Sequence, residues 1–411
     1  MTNIDIARQQ DSRVLTWSLR NIQNFVYNSC LFEFEDVISE VDKADIYSPS
    51  QFGPRSRVIN KAIVSATRHV KPLSLAAVNP YLKSKSLDRE YDMYFVTLDF
   101  PWYGSSINML KDWRKKCKTA VCYIVEIWNE DIPQMKNFMK FFDQFDLICI
   151  GTQHVLKDVQ AMTDTPVMFV PPGVDTIKFC PDFESGKKRS IDITNLGRRS
   201  LSTHNALLEK SEKEKNFFYY HELTNGSVLR VDDHQAHRTL IANLLGSSRY
   251  YVTNYAKADM PKLIAGEYEI GYRFFEGAAA GAVLIGARPK GDLYDKYFNW
   301  EDSIIPVRFD EPDISKIIDE LDACPGYIES IQARNAMNSL LQHDWVYRWE
   351  MILEELGQEP TPGITARKQK LKETAAALEP RARSVKAATD TQQPAVHEAE
   401  PAEPALASVQ A

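Results

Sequence analysis

The sequence predicts an α/β protein made of two parallel sheets in tandem, each flanked by helices on both faces. Three observations predict it. Short apolar runs of strand length alternate with longer amphipathic stretches. The alternation breaks at residues 171–190, which carry prolines, glycines and then a charged run, and it restarts afterwards. The chain has 411 residues, room for two domains of ordinary size with extra segments.

In the first half, candidate strands are Val14–Ser18, Asp45–Tyr47, Met93–Leu98, Ala120–Val125, Leu147–Ile150 and Val167–Val170. Helical patterns lie between them at Asn108–Lys116, Pro133–Asp143 and His154–Met162. In the second half, strands are expected at Ile191–Leu196, Phe217–Tyr220, Tyr250–Thr253, Ala282–Ile285 and Ser303–Val307. Its helices are expected at His204–Lys213, His234–Leu245, Tyr272–Ala280, Ile314–Leu321 and Ile328–Leu341. Two Rossmann-like units follow, over 1–172 and 173–342. A last amphipathic helix, His343–Leu356, places Trp345, Trp349, Ile352 and Leu356 at helical spacing, so its aromatics read as packing. After Gly357 the composition turns to Ala, Pro, Glu, Gln and Thr, with few large apolar groups. Residues 358–411 are therefore expected to be a disordered tail, with transient helix at Ala366–Leu378, because they cannot bury enough surface to offset ordering entropy.

The formal charge of −7 argues against a nucleic-acid partner, which usually meets a basic face. No apolar run approaches the roughly 20 residues of a membrane-spanning helix, and the first thirteen residues carry no apolar signal core. The six cysteines, at 30, 117, 122, 149, 180 and 324, lack zinc-knuckle spacing. Free buried thiols in a reducing compartment are expected, hence a cytoplasmic protein, with the inner membrane face as an option. His154, His204, His221, His234 and His237 form no metal pattern, and no metal is expected. The basic run Lys111–Lys118 reads as a solvated helix face, with peripheral contact to anionic lipid as the alternative.

The segment Gly266–Gly286, GEYEIGYRFFEGAAAGAVLIG, is the first candidate for chemistry. A helix starting near Gly271 offers free N–H groups and a partial positive charge, suited to a diphosphate. Arg273 in its first turn can add a charge-assisted bond. One turn on, Glu276 can accept two hydroxyl hydrogen bonds, as a ribose offers, or it is a solvated helix residue. Ala278–Gly281 let the helix lie close to its sheet. At residues 120–131, AVCYIVEIWNED, a buried strand runs into Glu126 and Trp128. A carboxylate just past the carboxyl end of a parallel strand sits where α/β sheets place ligands. Glu126 can orient or deprotonate a hydroxyl in that cleft, or bind a backbone amide. Trp128 can stack on a ligand ring, or be core. Asp99–Tyr103 ends another strand, so Asp99 is a candidate lining residue of the cleft, and Asn21–Phe25 follow the first strand as a loop facing it.

The Gly266–Gly286 segment resembles the donor-site glutamate motif of GT-B glycosyltransferases, both the retaining family-4-like (group 1) enzymes and the spore-coat maturation type. Glu276 matches the motif's second glutamate, which in those enzymes contacts the donor ribose. Eight positions earlier the family has a glutamate and this chain has Tyr268, between Glu267 and Glu269. The wording GYRFFE is closer to the spore-coat type. VPPGVDTIKFCP, residues 170–181, resembles the interdomain signature of the same enzymes, with Pro172–Gly173 as the turn and Asp175 read as a turn cap. IDITNLGRRS, residues 191–200, resembles the Gly-Arg end of the second domain's first strand. Arg198 matches the arginine facing the donor diphosphate. No lysine stands at the usual spacing, so Arg199 or Arg273 is the expected substitute.

The resemblance implies two domains facing a cleft, the last helix crossing back onto the first, and a metal-independent hexosyltransferase, retaining in outcome. No cofactor is implied beyond a nucleotide-diphosphate sugar as donor substrate, with a glycan, lipid-linked or small-molecule acceptor, as in polysaccharide biosynthesis. Glu126 is then the catalytic candidate. Arg198, Arg199, Gly271, Arg273 and Glu276 hold the donor, and Asp99 and Trp128 the acceptor. Two rivals fit the same residues: another GT-B enzyme, such as a phosphorylase or epimerase, and a non-catalytic nucleotide-binding scaffold that keeps the fold.

Overall fold

The structure, a computed structural model, describes residues 4–50, 54–69, 84–186, 188–222 and 229–383. The first half runs β1 (Ile4–Ala7), β2 (Val14–Trp17), α1 (Ser29–Asp42), β3 (Ala44–Pro49), α2 (Pro54–His69), β4 (Lys85–Ser86) and β5 (Tyr91–Leu98). It continues with β6 (Leu110–Lys111), α3 (Trp113–Lys116), β7 (Cys117–Ile124), α4 (Ile132–Met139), β8 (Leu147–Ile150), α5 (Leu156–Gln160) and β9 (Val167–Phe169). Seven strands form one sheet in the order β1-β3-β2-β5-β7-β8-β9, parallel except for β1 at the edge. β4 and β6 pair apart from it. From Ala120 to Ile124 every residue of β7 is buried, as is all of β8, because helices cover both faces of a parallel sheet.

The second half runs α6 (Thr176–Phe179), β10 (Ile191–Asn195), α7 (Leu201–Lys213), β11 (Tyr219–His221), α8 (His234–Gly246), β12 (Ser248–Val252), α9 (Pro261–Ile264) and α10 (Tyr272–Ala279). Then come β13 (Val283–Gly286), α11 (Asp292–Tyr297), β14 (Ile305–Pro306), α12 (Ile314–Asp322), α13 (Pro325–Gln342), α14 (Trp345–Glu355) and α15 (Pro362–Arg383). Five parallel strands are ordered β11-β10-β12-β13-β14. The expected α/β architecture of two Rossmann-like sheets holds. α10 lies close on its sheet because of Gly277, where a Cβ would stand 2.5 Å from the Tyr251 ring.

The linking segment is anchored rather than loose. Val174 bridges to Asp344, and the Asp175 side chain accepts from Lys178 N as the cap of α6. α14 crosses back as expected. Trp345, Trp349, Ile352 and Leu353 share a core with Phe34, Phe95, Val121 and Leu147 of the first domain. Trp345 stacks on Phe34 at 4.6 Å, and Trp349 Nε1 donates to Asp42 at 2.8 Å.

Two expectations are corrected. The helix expected over Asn108–Lys116 is divided among a 3-10 segment ending at Met109, then β6, then α3. Asp112 there adopts a left-handed conformation (φ 60°), which breaks any continuous helix. The basic run is divided with it: Arg114 pairs with Asp146, Lys116 with the Leu87 carbonyl and Lys118 with Asp92. The tail expected to be disordered from residue 358 instead forms α15, packed on α13 and α1. Ile364, Leu371, Ala375 and Leu378 make one buried stripe, and that stripe explains a composition with few apolar residues, since only one face is covered. Buried Arg367 locks the helix to Asp344, Asp175 and Glu40. The rest of the expected tail, 384–411, lies outside the described residues.

All six cysteines are free, with Cys30, Cys117, Cys122 and Cys149 buried. Among the described residues no helix is long and apolar enough to cross a membrane. No cluster of three or more His, Cys, Asp or Glu side chains among them is placed to hold a metal ion.

Candidate active site

The carboxyl ends of the two sheets face one another, and the sequence-singled residues divide between them. On the second sheet, the turn after β10 holds Gly197, whose φ of +67° favours glycine. A Cβ there would collide with the Arg273 guanidinium, so that arginine of α10 lies directly on the turn after β10. Gly197 N–H donates to Glu222 Oε2 at 2.8 Å. Arg198 reaches out to Asp259 at 3.6 Å and stays about half exposed. Arg199 turns the other way, to the Glu222 carbonyl and His221. Gly271 caps α10 in an extended conformation. Its missing Cβ would meet nothing nearer than 3.7 Å, so protein packing does not demand glycine at that point. The structure brings Arg198, Arg273 and Gly271 to one place and sends Arg199 to its flank.

Glu276 is buried rather than solvated. Its Oε1 accepts from Arg238 of α8, which also forms a two-bond clasp with Glu33 of α1, at 3.0 Å for each bond. The Trp345 indole and the Asp175 amide also donate to Glu33, and Lys178 lies 3.9 Å from it. Sequence reading missed Glu33 and Arg238. Arg238 did leave a signal: with Ala242 and Leu245 it falls on the apolar stripe of α8, where an unpaired cation would be prohibitively costly.

On the first sheet, Asp99 follows β5 and Glu126 follows β7. Asp99 accepts from Phe100 N at 2.9 Å and Asn28 Nδ2 at 3.3 Å. Burial pushes its carboxyl up to about 6, with nearby Glu126 adding to the rise and the two hydrogen bonds opposing it. Glu126 accepts from the Trp128 indole and pairs with Lys257 of the second domain at 2.5 Å. Trp128 is core here, 1% exposed, with Lys257 over its ring and Leu263 and Ile264 packed against it. No face is open to a sugar, and the packing alternative describes it.

The domains meet beside these groups. Asn24 and Val26 of the first loop hydrogen-bond to Val231 and Leu229. Glu269, one of the two glutamates flanking Tyr268, accepts from Gln153 N (2.7 Å), His154 N (3.1 Å) and His154 Nδ1 (2.7 Å). A groove of about 650 Å³ opens next to this clasp, lined by Lys157, Glu267, Tyr268, Lys290 and Asp292 among others.

Residues 220–354 match the family model described as glycosyl transferase-like. The match takes in α8, β12, α10 and α14, and so carries Arg238, Lys257, Gly271, Arg273 and Glu276. No curated protein matches the chain. Among solved structures the chain is similar to TarM, with 12% identity and a TM-score of 0.40 over 64% of this chain and 54% of that one. It is similar to a glycosylation-associated protein complex from Streptococcus agalactiae, with 12% identity and a TM-score of 0.36 over 77% and 58%. An α-glucosyltransferase in complex with UDP and DNA gives 12% identity and a TM-score of 0.45 over 85% and 100%. The chain thus spans little more than half the length of the first two.

Proposed function

We propose that the chain is a glycosyltransferase that moves a sugar from a nucleotide-diphosphate sugar to an acceptor hydroxyl, with side-chain cations rather than a metal at the leaving group. The observation that carries this reading is the gathering of Arg198, Arg273 and the Gly271 end of α10 at the carboxyl edge of the second sheet, with Arg273 and Gly271 inside the segment of the glycosyl transferase-like match and Arg198 ahead of it. Fixed positive charge there stabilises the nucleoside diphosphate as the sugar–phosphate bond breaks. The acceptor oxygen forms the new bond to the sugar, and its proton passes to a carboxylate of the facing edge.

Two carboxylates stand at that edge. Glu126 is the sequence-derived choice. Asp99 is a second, favoured by its carboxyl near 6, close to the value that suits a base at neutral pH. Glu276 is the residue that the family resemblance assigns to the donor ribose, and Arg238 fixes its orientation. Retention of configuration and a glycan or lipid-linked acceptor belong to this proposal through the family resemblance.

The test is a thermal-shift screen of the full chain against nucleotide-diphosphate sugars, since a ligand bound only to the folded state raises the unfolding midpoint. The stabilising donor is then incubated with acceptors while released nucleoside diphosphate and glycosylated product are measured. The expected result is one of each per turnover. No stabilising donor overturns the donor site. A donor that binds and never turns over makes the chain a nucleotide-binding scaffold, and a product formed on free phosphate makes it a phosphorylase.

A further inference from the structure

Lys257 is the one link in the described structure between the arginine-bearing donor edge and the carboxylate Glu126. It lies in the loop after β12 with a left-handed backbone (φ 56°), rare for a lysine. That loop is fixed to the donor side. Ala256 N–H donates to the Glu269 carbonyl at 2.9 Å, and Ala256 backbone atoms lie 3.9 Å from the Cβ position of Gly271. Two residues on, Asp259 holds Arg198. The Lys257 ammonium, however, points across the seam. It sits 2.5 Å from Glu126 and 4.7 Å from the centre of the Trp128 ring, with the side chain only 16% exposed. The lysine absent from the expected spacing after Gly197 thus has a counterpart from another loop, parked on the acceptor side.

We propose that Lys257 exchanges partners during the reaction. Without donor it neutralises Glu126. A diphosphate bound at Arg198, Arg273 and the α10 end carries more negative charge than one carboxylate and draws the ammonium to itself. A lysine is suited to this, being a compact charge on a flexible stem, where an arginine is committed to its fork geometry. The move adds a cation to the leaving group and at the same time frees Glu126 for the acceptor hydroxyl. Donor arrival would therefore arm the base. This inference rests on the donor site proposed above.

The experiment measures binding of uridine, adenosine, guanosine and cytidine diphosphates to the full chain by calorimetry, for wild type, Lys257→Met, Lys257→Arg, Glu126→Gln and the Lys257→Met/Glu126→Gln double variant. Thermal unfolding checks that each is folded. For the diphosphate that binds wild type, Lys257→Met should weaken binding about tenfold, the loss of one charge-assisted hydrogen bond, and Lys257→Arg should restore part of it. Glu126→Gln should tighten binding severalfold, because it releases Lys257, and that gain should vanish in the double variant. A lysine with only a structural role would give no tightening. Equal binding by wild type and Lys257→Met, or a Glu126→Gln gain that persists in the double variant, overturns the exchange. Failure of wild type to bind any of the four diphosphates instead withdraws the donor site, and the exchange with it.

Discussion

Along the seam the first domain supplies acids and the second supplies cations and hydrogen-bond donors. Glu33 meets Arg238, Asp36 meets His234 and Gln235, and Glu126 meets Lys257. For Asp36, burial opposes ionisation, yet the His234 hydrogen bond and Arg20 together carry its carboxyl down to about 2. One contact runs the other way, where Glu269 of the second domain is taken up by the turn between β8 and α5. The contrast shows how one seam serves both stability and chemistry. Deep in it, at Glu33–Arg238–Glu276, the charges are buried, and Glu33 holds Arg238 by two bonds. At the cleft edge, at Glu126–Lys257, the same pairing is single and partly exposed, so a ligand can compete for it.

The sealed end is the place to break the comparison. Arg238→Ala leaves buried Glu276 without its cation and buried Glu33 with only the more distant Lys178 at 3.9 Å. Removing one partner from a buried pair of this kind costs about 3–5 kcal/mol, and the loss should appear as a lower denaturant midpoint for the whole chain. If Arg238→Ala unfolds at the wild-type midpoint, the network does not hold the domains together. On the open side, Arg273→Ala removes only a cation lying on Gly197. Its expected effect is smaller, roughly 1–3 kcal/mol in donor binding, seen as a raised KM for the donor with the unfolding midpoint nearly unchanged. An unaltered donor KM in the folded variant would take Arg273 out of the site.

The two ends also differ in how far they were legible in the sequence. Residues on strand ends, Asp99, Glu126 and Arg198, are singled out by the sequence because a carboxyl-end position follows from reading the strand alone. Arg238, Glu33 and Lys257 act through contacts between distant segments, and no spacing in one stretch of chain encodes such a meeting. α1 was missed for a related reason. Glu33, Glu35 and Asp42 lie buried in it among Leu31, Phe34, Val37 and Ile38, and they blur an apolar stripe that tertiary ion pairs later repair. α15 is the opposite case. Its signal was present, with Ile364, Leu371, Ala375 and Leu378 at helical intervals, but the average composition of 358–411 hid the periodicity of 362–383. Trp128 shows the limit of motif reading. It stands two residues from Glu126 and donates to it, yet only packing decides that its ring is covered by Lys257.

The smallest expected effect sharpens the acidic half of the comparison. Asp99 is buried, and unlike Glu126 it has no cation among its hydrogen-bond partners, which are Asn28 and the Phe100 amide. Its folded carboxyl titrates near 6, whereas an unfolded aspartate titrates at about 3.9. Between those values the folded protein keeps a proton that the unfolded chain has lost. Stability from this group is therefore whole below the lower value and falls away as pH rises through the upper one. Asp99→Asn removes the ionisation and keeps most of the shape. At pH 8 the variant should be more stable than wild type by on the order of 1 kcal/mol, the gain being reduced because an amide must re-pair with Asn28. At pH 4 the gain should be absent or reversed. Urea unfolding at the two pH values reads the difference directly. An equal stability change at both would mean that Asp99 ionises without cost, and its place as the alternative base would lose its physical ground.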